Sequence, residues 1–572
     1  MFSDLYFNFK FFLNKRLKIK LIALTILHVI NTFLDIISVA SVPALMIFFF
    51  NKNQIQVELN LINDILDYFL NIFFGIPIVF IFLFILIFFL LKTFLVIFYF
   101  YFLSKLGYDL EINLAKRIVK KRLQNSYLSY IQGTYSAFLN LITFIINEFV
   151  NNNFVISYRI LVNLITIFAF GIFLLLVNPI TTITILIIST FIFFLFYLVT
   201  YEKFKFFGKH KLILYEKMLS KVKDTFYSFK EIKIYGKEDK FTEKFVSIKT
   251  AWAYNKLKFL ILSNLPKLFL ELALVLIIML IFFVSFKLNL KLELIIVNIT
   301  IFLISAQRLL PRIIEIMRNF SKINYSNKAQ KILVKELKEE NVQKQKRTKI
   351  LFKNKIQLEN IDYGYTSEKL ILNNINLEIK KGTFVGIKGG SGEGKTTLLN
   401  LLMGLLQPQN GKILIDSHNI NEVSNGHMNL IAYVPQRTYI LNESIKNNLI
   451  FENNELDISD NDILKALDIV KLSNIIKSYP KGLDTVIGDT TFKASEGEIQ
   501  RFGIARALLQ KKEILILDEI TSSLDQQNEK NIMNIISSLK GGSTIIMISH
   551  KNSSLEFCDK VYTLQNKNLS NS

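Results

Sequence analysis

The chain has 572 residues, of which 51% are hydrophobic, with 52 Phe and a formal charge of +22. So apolar a composition, in a chain too long for one domain, excludes a purely soluble protein and calls for a membrane domain. The lysines cluster beside apolar spans, where they report topology and contact with anionic headgroups rather than with nucleic acid. The single Cys558 rules out an intrachain disulfide, and no Cys/His cluster has metal-ligand spacing.

Crossing a bilayer takes about 20 helical residues. Apolar windows of that length fall at 21–50, 74–103, 155–178, 180–201, 260–286 and 292–320, so six spans are expected. The first follows basic residues (Lys10, Lys15, Arg16, Lys18, Lys20) but is too long for a signal-peptide core, and is expected to be retained. Between spans one and two, residues 59–70 repeat apolar positions at helical spacing, and an outer interfacial helix or an ordinary loop both fit. Lysine-rich connections precede span one and lie between spans two and three and between spans four and five; the other connections carry few basic residues. The positive-inside rule therefore puts both termini on the cytoplasmic side of the inner (plasma) membrane. The two long basic connections carry helical periodicity, as if membrane helices continued beyond the bilayer. Residues 335–350 are charged without apolar periodicity and read as a solvated linker. The expected division is a helical domain at 1–325, a linker at 326–350 and a second domain at 351–572.

From Ile356 onward strand-like and helix-like runs alternate, the pattern of an α/β domain. The apolar run from Gly382 to Ile387 reads as a strand and residues 397–406 as a helix. Between them Gly389, Gly390, Ser391, Gly392, Glu393, Gly394, Lys395 and Thr396 fit G-x-x-x-x-G-K-[ST]. In such a loop backbone N–H groups close around phosphate oxygens, the lysine adds charge and the threonine hydroxyl can hold Mg2+. Further on, the apolar strand Ile514–Leu517 ends in Asp518 and Glu519, a metal-organising aspartate followed by a candidate base. Residues 494–501 open a helix through Leu509, whose N-terminus offers N–H groups to an anion.

In this order and spacing the motifs resemble those of ATP-binding cassette (ABC) transporters, and the resemblance covers nearly the whole chain in exporter order. The fold it implies is an α-helical six-span membrane domain of exporter type followed by a C-terminal α/β P-loop nucleotide-binding domain. By similarity Tyr365 stacks on adenine, Gly389 to Thr397 bind the phosphates of ATP and Mg2+, and Gln436 senses the metal and the attacking water. Asp518 supports the metal, Glu519 is the general base, residues 522–525 communicate across a dimer and His550 contacts the γ-phosphate. The signature segment departs from the usual Leu-Ser-Gly-Gly-Gln at Ala494, Glu496 and Glu498, while Ser495, Gly497, Gln500 and Arg501 are kept. Because such sites close between one chain's P-loop and another's signature helix, a second copy of the chain is the expected partner; a heterodimer with a related half-transporter is the other possibility. Residues 127–136 and 222–232 resemble coupling helices.

Charges inside spans cost about 2.5–3.5 kcal/mol on insertion scales and usually face a cavity or a partner. Asp35, Lys92, Glu271, Arg308, Arg312, Glu315 and Arg318 are the candidates. Two readings stand for span six: an Arg312–Glu315 pair that holds the bundle, or Arg308 and Arg312 gripping an anionic, phosphate-bearing headgroup. The segment 306–312 and the pattern at 39–43 resemble bacterial half-transporters that flip lipid-linked oligosaccharides, which implies a polyprenyl-pyrophosphate cargo. Export of another lipid, a drug or a peptide is the alternative, and an ATP-gated regulator or channel is an alternative of another class.

Overall fold

The computed structural model describes residues 11–49, 78–177, 179–287, 292–338, 350–366, 369–420, 422, 426–451, 458–488, 495–521 and 524–571. The expected outer segment 59–70 lies outside them. The chain forms two compact units, one of residues 1–340 without 125–132, the other of 125–132 with 341–572.

The first unit is helical: α1 (Lys15–Phe49) and α2 (Ile78–Gln124) come first. A continuous helical path follows through α4 (Tyr135–Asn140), α5 (Ile146–Phe149) and α6 (Val155–Val177). Then come α7 (Pro179–Tyr227), α8 (Phe229–Ile234), α9 (Glu238–Lys287) and α10 (Leu292–Lys338). Among the described residues five helical segments are long and apolar enough to cross a membrane: 15–38, 86–124, 135–176, 186–227 and 238–279. The sixth expected span, 292–320, forms the first part of α10. At 49 residues α7 is about 70 Å long, more than twice the hydrocarbon thickness of a bilayer. The expectation that membrane helices run on beyond the bilayer is met, with Phe204 and Leu212 on α7 still fully packed.

Two π-helical turns, Leu141–Ile145 and Val150–Phe154, interrupt the helix on either side of α5. Each inserts an extra residue into a turn and re-aims the side chains that follow, and between them Glu148 is turned into the core at 6% exposure. The linker expected from 326 begins later. Residues 326–338 continue α10 because Ala329 and Leu333, one turn apart, are wholly buried against Leu110, Leu114 and Phe149.

The second unit opens on α3 (Tyr127–Gln132), whose Tyr127 packs on the core around Leu398 and Leu402 and hydrogen-bonds Asn400. Of the other expected coupling segment, 222–227 is the end of α7, and the short helix α8 starts only at Phe229. The α/β part follows as β1 (Lys355–Tyr363), β2 (Leu372–Lys380), β3 (Phe384–Gly389), α11 (Lys395–Leu402), β4 (Asn410–Ile415), β5 (His418–Asn419) and β6 (Ile431–Val434). After these come β7 (Glu443–Ser444), α12 (Ile445–Ile450), α13 (Asp460–Ile469), α14 (Ser473–Lys477), β8 (Val486–Ile487) and α15 (Glu496–Leu509). Last are β9 (Ile514–Asp518), α16 (Gln526–Ser538), β10 (Thr544–Ile548), α17 (Asn552–Leu555), β11 (Lys560–Gln565) and β12 (Asn568–Asn571).

A six-stranded sheet runs β12-β11-β3-β10-β9-β6, parallel except for the β11–β12 pair, beside an antiparallel sheet β2-β1-β4-β5. Every residue of β9 and β10 is buried, as expected for parallel strands covered on both faces. β10 lies between β3 and β9, with Ile548 level with Ile387 on one side and Asp518 on the other. The carboxyl ends of these three strands therefore deliver the P-loop, Asp518 with Glu519, and His550 to one edge, the usual place for a ligand in an open α/β sheet.

Candidate functional site

The P-loop leaves β3 at Gly389 and turns into α11 through Gly394, the N-cap, whose φ of 101° is closed to side-chain-bearing residues. A Cβ there would also lie 2.8 Å from Ile371 Cγ2. The helix begins at Lys395, two residues before the expected Thr397, and stops at Leu402, where Gly404 at φ 68° reverses the chain. Ser391 and Thr396 are exposed while Lys395 and Thr397 are buried, so one turn offers both an anchored lysine and a free hydroxyl. The Lys395 ammonium donates to the carbonyls of Gly389 (3.0 Å) and Gly390 (2.8 Å) and lies 2.9 Å from His550 Nε2. Burial lowers its proton affinity, and Glu519, Asp518 and Glu393 work against that shift.

Glu519 occupies the left-handed region at φ 49°, a conformation that costs a non-glycine residue free energy and clusters at functional sites. Its backbone N–H is anchored to Ile548 O at 3.1 Å. One carboxylate oxygen accepts from Gln436 Nε2 at 2.7 Å and the other lies 2.8 Å from His550 Nε2. That single nitrogen thus faces both Lys395 and Glu519. A neutral ring presenting a lone pair can take the lysine's proton bond, whereas a protonated Nε2 can donate only to Glu519. Asp518, 6% exposed at the end of β9, accepts from the Tyr433 hydroxyl at 3.3 Å. Burial, then the neighbouring Glu519, raise its pKa. Its carboxylate, the Thr396 hydroxyl and the Gln436 amide make an oxygen-donor set near the P-loop, and such hard donors fit Mg2+ held jointly with phosphates. Tyr365 is partly exposed, with its hydroxyl 3.4 Å from Thr397 Oγ1.

Ser495 and Gly497 share no hydrogen bond with this group among the described residues. Ser495 caps α15: its hydroxyl accepts from Glu498 N (3.3 Å), and Glu498 reaches back to Ser495 N (3.0 Å), a complete capping box. Glu498, a departure from the expected signature, therefore has a local task. Glu496 is exposed in the first turn, where a carboxylate complements the helix dipole. Ala494, Ser522 and Ser523 lie outside the described residues; Asp525 is the N-cap of α16. Gln500, kept in the signature segment, donates to Gln436 O at 3.2 Å and ties α15 to the Gln436 loop, a contact that spacing along the chain does not reveal.

In the helical unit the expected Arg312–Glu315 pair is not formed. Arg312 turns instead to α1 and α6, with Nη2 3.9 Å from Asp35 and Nη1 donating to Asn163 Oδ1 at 3.3 Å. Asp35 also binds Lys92 at 2.5 Å, and Lys92 donates to Ser38 at 3.0 Å. A neighbouring helix offers a buried polar partner, whereas Glu315 lies along the same helix; the tertiary contact wins. Glu271 pairs with Lys267 on the exposed face of α9 at 3.7 Å. The Arg308 side chain lies outside the described residues.

Together the sheet edge and the helices define a P-loop nucleotide-binding domain joined to a membrane-spanning helical domain. Residues 372–522 match the model of the ABC transporter family. Over 213 residues it is 40% identical to an export ATP-binding/permease protein of Rickettsia typhi, a match covering 36% of each chain. An ATP-dependent lipid A-core flippase of Syntrophus aciditrophicus is 39% identical over 211 residues, covering 37% of this chain and 35% of the relative. The matches thus span just over a third of those relatives. The whole chain has the fold of a bacterial Atm1-family ABC exporter solved with ATP bound, at TM-score 0.77 and 19% identity, covering 97% of this chain and 94% of that one.

Proposed function

We propose that the protein is an ATP-driven exporter that works as a homodimer and flips a lipid-linked (polyprenyl-pyrophosphate) oligosaccharide or related glycolipid across the inner membrane, with both termini cytoplasmic. The observation that carries this reading is the division of the nucleotide site. Lys395, Asp518, Glu519, Gln436 and His550 are gathered at one edge, while Ser495 and Gly497 share no hydrogen bond with them. A second copy would supply those two residues to the triphosphate.

In this mechanism the P-loop amides of Gly390 to Thr396 and Lys395 hold the β- and γ-phosphates, and Tyr365 stacks on adenine. Mg2+, held by Thr396, Asp518 and Gln436, would neutralise charge on the phosphates. Gln436 and Glu519, already 2.7 Å apart, orient a water. Its oxygen bonds to the γ-phosphorus as Glu519 takes its proton, and the bond from phosphorus to the bridging oxygen breaks with its electron pair leaving on ADP. His550 can move its donor from Glu519 to a γ-phosphate oxygen. Closing and opening of the two nucleotide domains would bias the helical domain between inward and outward states.

Arg312, with Arg308 one helical turn away, supports an anionic headgroup; a phosphate would compete with Asp35 for Arg312. The lipid A-core flippase relative is in keeping with a lipid cargo. Export of another lipid, a drug or a peptide is the second reading. A gate that works by binding alone would not need Glu519 held in register with Gln436 and His550. In vesicles, a lipid-linked oligosaccharide is expected to stimulate ATP turnover and to change leaflet; no response to it, with transport of a peptide or drug, would overturn the cargo.

A further inference from the structure

Behind the nucleotide site sits a buried acid that the mechanism above does not use. Glu529, in the first turn of α16, is 4% exposed, yet its carboxylate is fully engaged. Oε1 accepts from the hydroxyls of Ser553 (2.5 Å) and Ser554 (2.6 Å), and Oε2 from Lys551 Nζ (3.0 Å). Burial alone would raise its pKa, but these hydrogen bonds and the lysine's charge hold it below the usual carboxylate range. Lys551 directly follows His550 in the chain. Its ammonium spends its other two donors on the carbonyls of Thr521 (2.8 Å) and Leu524 (3.0 Å), just beyond Glu519. The Thr521 and Ser554 hydroxyls close the network at 2.9 Å.

The ammonium has three donors, and all three are used. One reaches the α16 carboxylate and two reach the stretch that leaves Glu519. The backbone carrying His550 is therefore nailed to the backbone carrying Glu519 from behind. His550 itself is largely exposed, and its side chain has no partners in the described structure other than Glu519 and Lys395. Its position depends on the loop that holds it.

We propose that Glu529 and Lys551 are positioning residues for ATP hydrolysis, which keep His550 and Glu519 in register across the γ-phosphate without touching the nucleotide. This rests on the ATPase reading above. Loss of either partner should loosen the arrangement needed in the transition state while leaving the P-loop, and hence ground-state binding, intact.

The test uses the full chain in lipid nanodiscs, with turnover, KM for MgATP and binding of a fluorescent ATP analogue measured on each variant. Glu529→Gln and Lys551→Met should each lower kcat about tenfold with KM and analogue affinity within about twofold, and the double variant should be no slower than the singles, since the pair acts as a unit. Lys551→Arg, which keeps the charge and several donors, should restore most of the turnover. If Glu529→Gln does not fold, the contrast between Lys551→Met and Lys551→Arg decides the matter alone. Variants with wild-type kcat, or a loss of turnover that tracks analogue affinity and thermal stability, would overturn the inference. A wild-type chain that binds the analogue but turns over no ATP would overturn the ATPase reading, and this inference with it.

Discussion

In the helical unit Glu148 and Lys211 meet at 2.6 Å with side chains 7% and 9% exposed, and Lys211 also lies over the Tyr325 ring at 4.3 Å. In the nucleotide unit Lys395 lies 2.9 Å and Glu519 2.8 Å from the same His550 nitrogen, so one imidazole nitrogen is shared between the two groups. The first arrangement gives each charge one buried partner on another helix, through Glu148 Oε2, while Glu148 Oε1 is buried without a hydrogen bond. The second leaves bonds that can be exchanged, and a triphosphate supplies the anion that Lys395 meanwhile replaces with the carbonyls of Gly389 and Gly390. The difference separates charge that holds helices together from charge kept ready for a reaction.

Three substitutions would break or sharpen that contrast. The largest effect is expected for Glu519→Gln: phosphate release should fall about 10²–10⁴-fold, the usual worth of a general base, with nucleotide binding retained. Turnover within a few-fold of wild type would remove Glu519 from the reaction. Next, Glu148→Ala leaves the Lys211 ammonium buried without its carboxylate and should cost about 3–5 kcal/mol. It would be read as a lowered unfolding midpoint of the helical domain in detergent, and Glu148→Ala with Lys211→Met should recover part of the loss. A negligible shift would mean that water reaches the pair and that its burial confers little. The smallest effect is expected for Glu496→Gly, where an exposed first-turn carboxylate is lost while the Ser495–Glu498 capping box stays. ATPase activity should change by less than about tenfold. A larger change would place Glu496 against a nucleotide.

The legible parts of this protein were those written in consecutive residues. The P-loop is legible because backbone amides, lysine and hydroxyl must follow one another within a single turn. Asp518 and Glu519 are legible because a buried parallel strand leaves an unbroken apolar run before them. The helical spans are legible because a bilayer demands length. The Arg312 partner was not legible: Asp35 is 277 positions away, and Glu315, which seemed its natural mate, lost to a neighbouring helix. The end of α10 is hidden in the sequence for a related reason. Charged residues around 335 mask Ala329 and Leu333, whose packing keeps α10 helical through Lys338.

The sequence by itself determined the class of this protein, since local backbone chemistry and membrane thickness each leave a pattern within one stretch of chain. Only the tertiary structure decided which charges meet. It set the sharing of His550 between Lys395 and Glu519, the diversion of Arg312 to Asp35 and the enclosure of Glu529 by Lys551, Ser553 and Ser554. The physical reason is that a charged group takes whichever partner the fold brings near it, and strand order and helix packing, not spacing along the chain, fix that distance.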